Sequence, residues 1–192
     1  NTPDPERGQI DRDEHGDPTG VLRNGAQSIV RHVIPKGDVQ EEVSELERLA
    51  KLALGDYPRY GITSVLDPGV SPLGMRAYQN LYNNAELNLR VNMMPAWYGL
   101  YSTSGKDLSS FIDIFGAYSG LGNEWLNVGA LKMAIDGGLG SKTAMCHQPF
   151  LDGSKSTIPL RLDLDKLEEY FRAAQTAGWS IGIHCCGDLA QD

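Results

Sequence analysis

Two short stretches of the sequence carry the residues best suited to chemistry, and each follows a run of apolar residues. The later stretch, residues 179–188, is typical of a buried strand that ends at His184. Side chains alternate between the two faces of a strand, so His184 shares a face with Ser180 and Gly182. Such a face suits the inside of a tight barrel, whose enzymes keep their chemistry at the C-terminal rim of the strands. A core histidine satisfied by backbone groups fits this stretch equally well.

The earlier stretch, residues 128–143, places Lys132 inside a hydrophobic strand and Asp136 just after it. A buried lysine is costly unless it is paired or functional. Strand alternation puts Lys132 and Asp136 on the same face. Two interpretations remain open. One is a buried ion pair between these two residues, and the other is a lysine that points into a barrel mouth and serves chemistry there.

The glycine-rich segment 137–143 resembles a phosphate-binding loop in composition, but its spacing excludes that function. The motif requires a glycine directly before its lysine and another glycine five residues earlier. Here those positions hold Ser141 and Asp136. The residues that follow make a poor helix start, so the helix dipole that would hold phosphate is missing. Nucleotide binding is therefore not expected.

The hydrophobic periodicity predicts an α/β fold. Residues 1–37 are polar with a central turn, which predicts a β-rich segment containing a hairpin. Strands are predicted at 61–67, 89–96, 127–135 and 180–185. Helices are predicted to begin near Asp38 and to cover 73–85, 107–118 and 164–177. Strands that alternate with helices imply a parallel sheet, and four strands are half of an eight-stranded barrel. Residues 38–192 are therefore predicted to form a partial (β/α)8 barrel of the TIM type.

Composition excludes several classes of partner. The chain has 192 residues and a formal net charge of −8, and no stretch concentrates lysine and arginine. This argues against nucleic acid and anionic membranes as partners. No apolar run has transmembrane length, and no signal peptide is visible. Three cysteines, two of them adjacent, make no disulfide framework and favour a reducing compartment, the cytoplasm.

Four motifs, in order along nearly the whole chain, resemble amidohydrolase family 3, in the branch of the N-substituted formamide deformylase-like enzymes. Residues 131–144 resemble the lysine strand and the DGxLGSRTA motif of that family. Residues 177–188 resemble its AGW…IHAIGD motif, and residues 61–69 resemble its second-strand motif. Residues 18–26 resemble its PTGVLxEGA segment.

The resemblance implies a (β/α) barrel that holds a divalent metal, usually zinc, at the C-terminal ends of its strands. Such a metal lowers the pKa of a bound water and polarises the scissile carbonyl. His184 would be a metal ligand on the fifth barrel strand, since a neutral imidazole suits zinc. Lys132 would lie on the fourth strand, where related enzymes carry a carboxylated lysine that bridges two metals. The implied reaction is hydrolysis of amide-type C–N bonds other than peptide bonds.

The resemblance also implies which residues surround a small amide-type substrate. Asp136 and the loop 137–140 would shape the pocket floor, so Asp136 joins Lys132 and His184 as a catalytic candidate. Two aromatic residues after a predicted strand could line an apolar pocket, although they could equally belong to the core or to an interface. The pocket candidates are Trp97, Tyr98, Gly138 and Ser141.

Other polar residues receive bland interpretations. Asp67 could orient a metal ligand, but we favour a cap of the turn predicted at Pro68–Gly69. The remaining histidines are interpreted as solvated or structural residues, and His147 is alternatively interpreted as part of a substrate lid. They are His15, His32 and His147. The family arginine of the GSRTA motif is replaced by Lys142, which lacks the guanidinium fork.

Metal ligands required by the family are missing from this sequence. They are a His-x-His pair on the first strand, a histidine on the sixth and an aspartate on the eighth. We therefore expect an internal fragment of a longer enzyme, inactive alone, with weak or absent zinc binding. Exposed barrel edges predict self-association. The competing interpretation is a non-catalytic α/β fragment or interaction module.

Overall fold

A computed structural model describes residues 2–5, 8–31, 33–35, 37–97, 108–156, 158 and 164–192. The chain divides into two compact units. Unit 1 comprises Asn1–Lys36, Ala134–Leu164 and Ile183–Asp192, and unit 2 comprises Gly37–Met133 and Asp165–Gly182. The division at residue 37 that the sequence suggests stays a prediction.

Unit 1 begins with the predicted hairpin. Strands β1 (Gly8–Arg12) and β2 (Pro18–Asn24) pair antiparallel, and helix α1 (Gln27–Arg31) follows them. The turn between the strands is organised by Asp13, whose side chain accepts hydrogen bonds from the backbone amides of His15 and Asp17, both at 2.9 Å. This is the local bonding that makes aspartate a turn residue.

The described residues of unit 2 form four longer helices. They are α2 (Val39–Asp56), α3 (Pro72–Asn83), α4 (Leu108–Phe115) and α5 (Leu167–Thr176). Short 3-10 turns follow α2 at Tyr57–Tyr60 and precede α5 at Leu164–Lys166. The side chain of Asp38 accepts from the amide of Gln40 and so caps α2, while Ser71 caps α3 through the amide of Gly74. Both caps satisfy amides that a helix start leaves unpaired.

The strands run parallel, as predicted. Strands β3 (Ser64–Val70), β4 (Arg90–Pro95) and β5 (Leu126–Val128) form one parallel sheet in that order. Strands β6 (Leu131–Ala134) and β7 (Ile181–His184) pair with each other. The amide of Leu131 donates to Ser180 O, and the amide of Ile135 donates to His184 O. From the first bond to the second, the residue number rises by four on both strands, so these strands are parallel too.

Two boundaries differ from the sequence prediction. The single strand expected at 127–135 is two strands, with Gly129 and Ala130 between them. The turn expected at Pro68–Gly69 is absent, because β3 continues through both residues and Pro68 pairs with Met94. A register shift after Pro68 accommodates the residue that cannot donate to the ladder. The described residues thus form five parallel strands in two sheets, and the partial barrel and its closure stay predictions.

Burial alternates along β3, β5 and the start of β6. Val91, Leu131 and Met133 are fully buried, and they form much of the core. Leu66 on β3 points away from this core and is 56 % exposed. Lys132 lies between two fully buried residues, so alternation places its side chain on the more open face.

Candidate functional site

Lys132 lies in the middle of β6 and is half-buried. Its backbone is held by the segment that follows β4, since Lys132 O accepts a hydrogen bond of 3.1 Å from the amide of Trp97. The Trp97 side chain is buried, and its ring meets the ring of Tyr170 edge-on at a centroid distance of 5.0 Å. Tyr98, the other aromatic pocket candidate, lies outside the described residues.

Asp136 lies two residues after the end of β6, and its side chain is fully enclosed. Its carboxylate accepts three backbone hydrogen bonds. The amide of Cys186 donates to Oδ1 at 2.8 Å, while those of Gly187 and Met145 donate to Oδ2 at 2.8 Å and 3.0 Å. Bonds of this kind to a charged acceptor are short and strong, and they compensate for burying the carboxylate.

His184 ends β7, and its ring is held by the segment that follows Asp136. The ring Nε2 lies 2.8 Å from Gly137 O and 3.8 Å from Asp136 Oδ1. A carbonyl oxygen can only accept, so Nε2 carries a proton and the neutral ring keeps its lone pair on Nδ1. The side chain is 40 % exposed. A hydrogen bond from the ring to a backbone carbonyl does not prevent the histidine from binding a metal, because metal-binding histidines commonly donate their other ring N–H to a carbonyl.

The loop after Asp136 is closed on itself by Thr143, which is 2 % exposed. Thr143 Oγ1 accepts from the amide of Gly138 at 3.0 Å and lies 2.8 Å from Ser141 Oγ. A methyl group on Gly137 would meet Thr143 Oγ1 at 1.9 Å, so only glycine fits there. Two of the predicted pocket residues, Gly138 and Ser141, thus belong to one tightly bonded turn. The buried threonine that organises it was not singled out from the sequence.

The hairpin of unit 1 contacts this same loop through Arg23. Its guanidinium forms two hydrogen bonds with Asp11, at 2.7 Å and 2.5 Å, and also donates to Ser141 O. The bond from Arg23 lowers the pKa of Asp11, and the bond to Asp11 raises the pKa of Arg23. Sequence reasoning missed this link because its members are far apart in the chain.

Asp67 does not cap a turn, which corrects the favoured interpretation. Its Oδ2 accepts a hydrogen bond of 2.8 Å from Tyr78 Oη on α3. Burial, and then this bond, raise the pKa of Tyr78 well above its ordinary value. Asp67 thus ties β3 to the helix that follows it.

Three more of the singled-out residues, His15, His147 and Lys142, lie at the surface of unit 1. His15 is 76 % exposed in the hairpin turn, as predicted, and His32 is outside the described residues. His147 Nε2 lies 2.6 Å from Asp192 Oδ2, and its amide donates to Asp188, which lowers the pKa of that carboxyl. Lys142 pairs with Asp152, and this pair holds the pKa of Asp152 well below its ordinary range.

A complete metal site is not found among the described residues. They contain no group of three His, Cys, Asp or Glu side chains able to hold an ion. A catalytic zinc site usually takes three protein ligands, and the oxygens of Asp136 are already bonded to backbone amides. His184 offers one ring nitrogen, Nδ1, that could bind a metal. The described residues thus do not fit a complete metal centre.

Comparison with known proteins identifies the family. Residues 1–192 match the amidohydrolase family. The chain belongs to that family. Among its curated relatives, LONG AFTER FAR-RED 3 of Arabidopsis thaliana is 29 % identical, with 100 % of this chain and 32 % of the relative covered. YtcJ of Bacillus subtilis strain 168, named as a candidate amidohydrolase, is 27 % identical over 99 % of this chain and 34 % of that protein.

A third relative, the exoenzymes regulatory protein AepA of Pectobacterium carotovorum subsp. carotovorum, is 26 % identical over 100 % of this chain and 40 % of that protein. This amidohydrolase chain thus spans about a third of the length of the curated relatives it matches. The formamide deformylase branch stays a prediction.

Solved structures resemble the fold. A metal-dependent hydrolase from Pyrococcus horikoshii superposes with a TM-score of 0.66 at 22 % identity, covering 96 % of this chain and 35 % of that one. A metal-dependent hydrolase from Pyrococcus furiosus gives 0.65 at 20 % identity, over 95 % and 36 %. In the described part of the chain, every helix is too short or too polar to cross a membrane.

Proposed function

We propose that this chain contributes part of the active site of a metal-dependent hydrolase that cleaves amide-type C–N bonds, other than peptide bonds, in small molecules. The observation that carries the proposal is the ring of His184, which donates through Nε2 to Gly137 O and keeps its Nδ1 lone pair available. The amidohydrolase family of the chain supports the reaction class.

The remaining assignments are also proposals. Zinc, or another divalent metal, is the proposed cofactor, and Lys132 is the proposed second ligand in a carboxylated form. A free ammonium is a poor zinc ligand, whereas the carbamate would offer two anionic oxygens. Trp97, Gly138 and Ser141 are proposed to lie near the substrate.

The test uses the longest natural open reading frame that contains this chain. The purified protein should carry a divalent metal and hydrolyse at least one member of a panel of formamides, amides and cyclic amides. His184→Ala should lower the metal content and the hydrolysis rate together, because one ligand is lost. Metal analysis by mass spectrometry and a continuous assay measure both quantities on the same sample.

The matched control is His15→Ala, which removes an exposed histidine from the hairpin turn and should leave metal and rate unchanged. Loss of activity at full metal content in His184→Ala would give that histidine a role other than ligation. A metal-free protein that hydrolyses the panel at the wild-type rate would contradict the metal dependence.

A non-catalytic interaction module is the second candidate. Two of the relatives carry names that are not those of enzymes, and this observation favours it. This candidate predicts no hydrolysis of the panel and no stoichiometric metal in the longest reading frame. The same two measurements therefore separate the candidates.

A further inference from the structure

The carboxylate of Asp136 faces backbone amides, although the sequence motifs made this residue a catalytic candidate. Its side chain is fully enclosed, and its oxygens face backbone amides from two loops that are distant in sequence. One loop follows β6 and contains Met145, and the other follows β7 and contains Cys186 and Gly187. A single buried anion thus joins the two loops.

The two loops also touch directly at the backbone. A methyl group on Gly187 would lie 1.9 Å from Met145 O, so a larger residue has no room there. Such an approach brings the polar backbone groups of both loops together, and each needs a partner once water is excluded. Asp136 supplies that partner for three amides at once.

The same residue lies next to the contacts that orient His184. The amide of Ile135, just before Asp136, donates to His184 O at 3.0 Å, and Gly137 O, just after it, accepts from the ring Nε2 at 2.8 Å. Fixing Asp136 therefore fixes the two groups that hold the histidine. Asp136 Oδ1, at 3.8 Å from Nε2, also favours a proton on that nitrogen.

We propose that Asp136 is a positioning residue: by clamping the loop after β6 to the loop after β7, it holds His184 in the tautomer that leaves Nδ1 free to act. A role of this clamp in catalysis rests on the proposed function, whereas the clamp itself rests only on the hydrogen bonds of Asp136. Asp136 is thereby given an indirect role in place of the direct catalytic one.

The first test needs no substitution. In the 192-residue chain, nitrogen NMR of the histidine rings should show the Nε2–H tautomer for His184 at neutral pH. Amide hydrogen exchange should show Met145, Cys186 and Gly187 protected together. A neutral His184 ring protonated on Nδ1, or fast exchange at all three amides, would overturn the proposal.

The second test is Asp136→Asn, which keeps the shape and turns one acceptor oxygen into an NH2 donor. The best orientation of the new amide keeps its oxygen towards Met145 and Gly187, so the amide of Cys186 then faces a donor. Exchange at Cys186 should rise by about tenfold or more, and His184 should lose its single tautomer, because the NH2 group also replaces Oδ1 near Nε2. Unchanged exchange and an unchanged tautomer would contradict the clamp.

The matched control is Asp188→Asn in the loop after β7. One oxygen of Asp188 accepts the amides of both His147 and Leu189, so an asparagine oxygen can keep both bonds. The tautomer of His184 should be unchanged in this variant. Since neither readout involves metal or substrate, a failed clamp leaves the proposed function standing, and a missing metal leaves the clamp standing.

Discussion

The bond between Tyr78 and Asp67 shows how one hydroxyl can join a strand to the next helix. Replacing Tyr78 by phenylalanine removes the donor and leaves a partly buried carboxylate short of one hydrogen bond. The free energy of unfolding should fall by about 1–2 kcal/mol, measured by urea denaturation near neutral pH. Tyr82→Phe is the control on the same helix, since the Tyr82 hydroxyl is exposed where it accepts from Asn123, and its loss should cost about 0.5 kcal/mol or less.

The pH dependence of the same bond follows from the raised pKa of Tyr78. In the unfolded chain Tyr78 ionises near its ordinary value of 10.0, whereas in the folded protein it stays protonated well above that pH. Its stabilising contribution is therefore complete below pH 10 and is lost as the pH rises further. The difference in stability between wild type and Tyr78→Phe should stay constant up to about pH 10 and shrink as the pH rises above about 10. A difference that grows over this range would show that the tyrosine is stabilised as the phenolate.

At the level of the elements, the segment between β5 and β6 makes one close contact with β4. A methyl group on Gly129 would lie 1.8 Å from Asn92 Oδ1 on β4, so Gly129→Ala must displace a buried side chain. We expect a loss of about 1–3 kcal/mol in thermal or chemical unfolding. The control is Gly140→Ala, where an added methyl group meets no atom within 4 Å. In the double variant Asn92→Ala/Gly129→Ala the losses should be less than additive, and strict additivity would show that the two residues do not interact.

The elements also show what the sequence could and could not predict. Helix starts at Asp38 and Ser71 follow from caps that act within four residues, and the parallel order follows from the alternation of elements. The break at Gly129 and the path of β3 through Pro68 depend on neighbouring strands, which one segment of sequence does not reveal. By contrast, His184 and Lys132 could be identified as site candidates from the sequence, because a polar residue stands out within an apolar strand.

The site was only partly predictable for the same reason. The family motifs pointed to Asp136, but they do not encode that its oxygens bind amides of the loops near residues 145 and 187. Thr143 and Arg23 were missed because each acts through a polar bond with a partner that local patterning cannot identify. Hydrogen bonds across long sequence separations leave no periodic signal.

At the scale of the whole molecule, one face of β3 is open to solvent. Leu66 is 56 % exposed there, and in the described residues no strand pairs with the second edge of β3. We predict that the chain self-associates and that Leu66→Glu weakens the association, because a charge would be buried against apolar surface. Sedimentation velocity over a series of concentrations measures this. Leu151→Glu, a change at a fully exposed loop position, should have no effect, and a wild type that is monomeric at every concentration would contradict the prediction.

Unit 1 is built from three stretches of chain, and this has a consequence for its biosynthesis. The hydrogen bond from Arg23 to Ser141 spans 118 residues, and unit 1 is complete only once Ile183–Asp192 has been made. At a synthesis rate of about 5–20 residues per second, the hairpin waits on the order of ten seconds on the ribosome before Ser141 is made. A two-stranded hairpin alone is marginally stable in water, so during this interval it is open to proteases and to pairing with other nascent chains. The hairpin is thus made long before the segments of unit 1 that stabilise it.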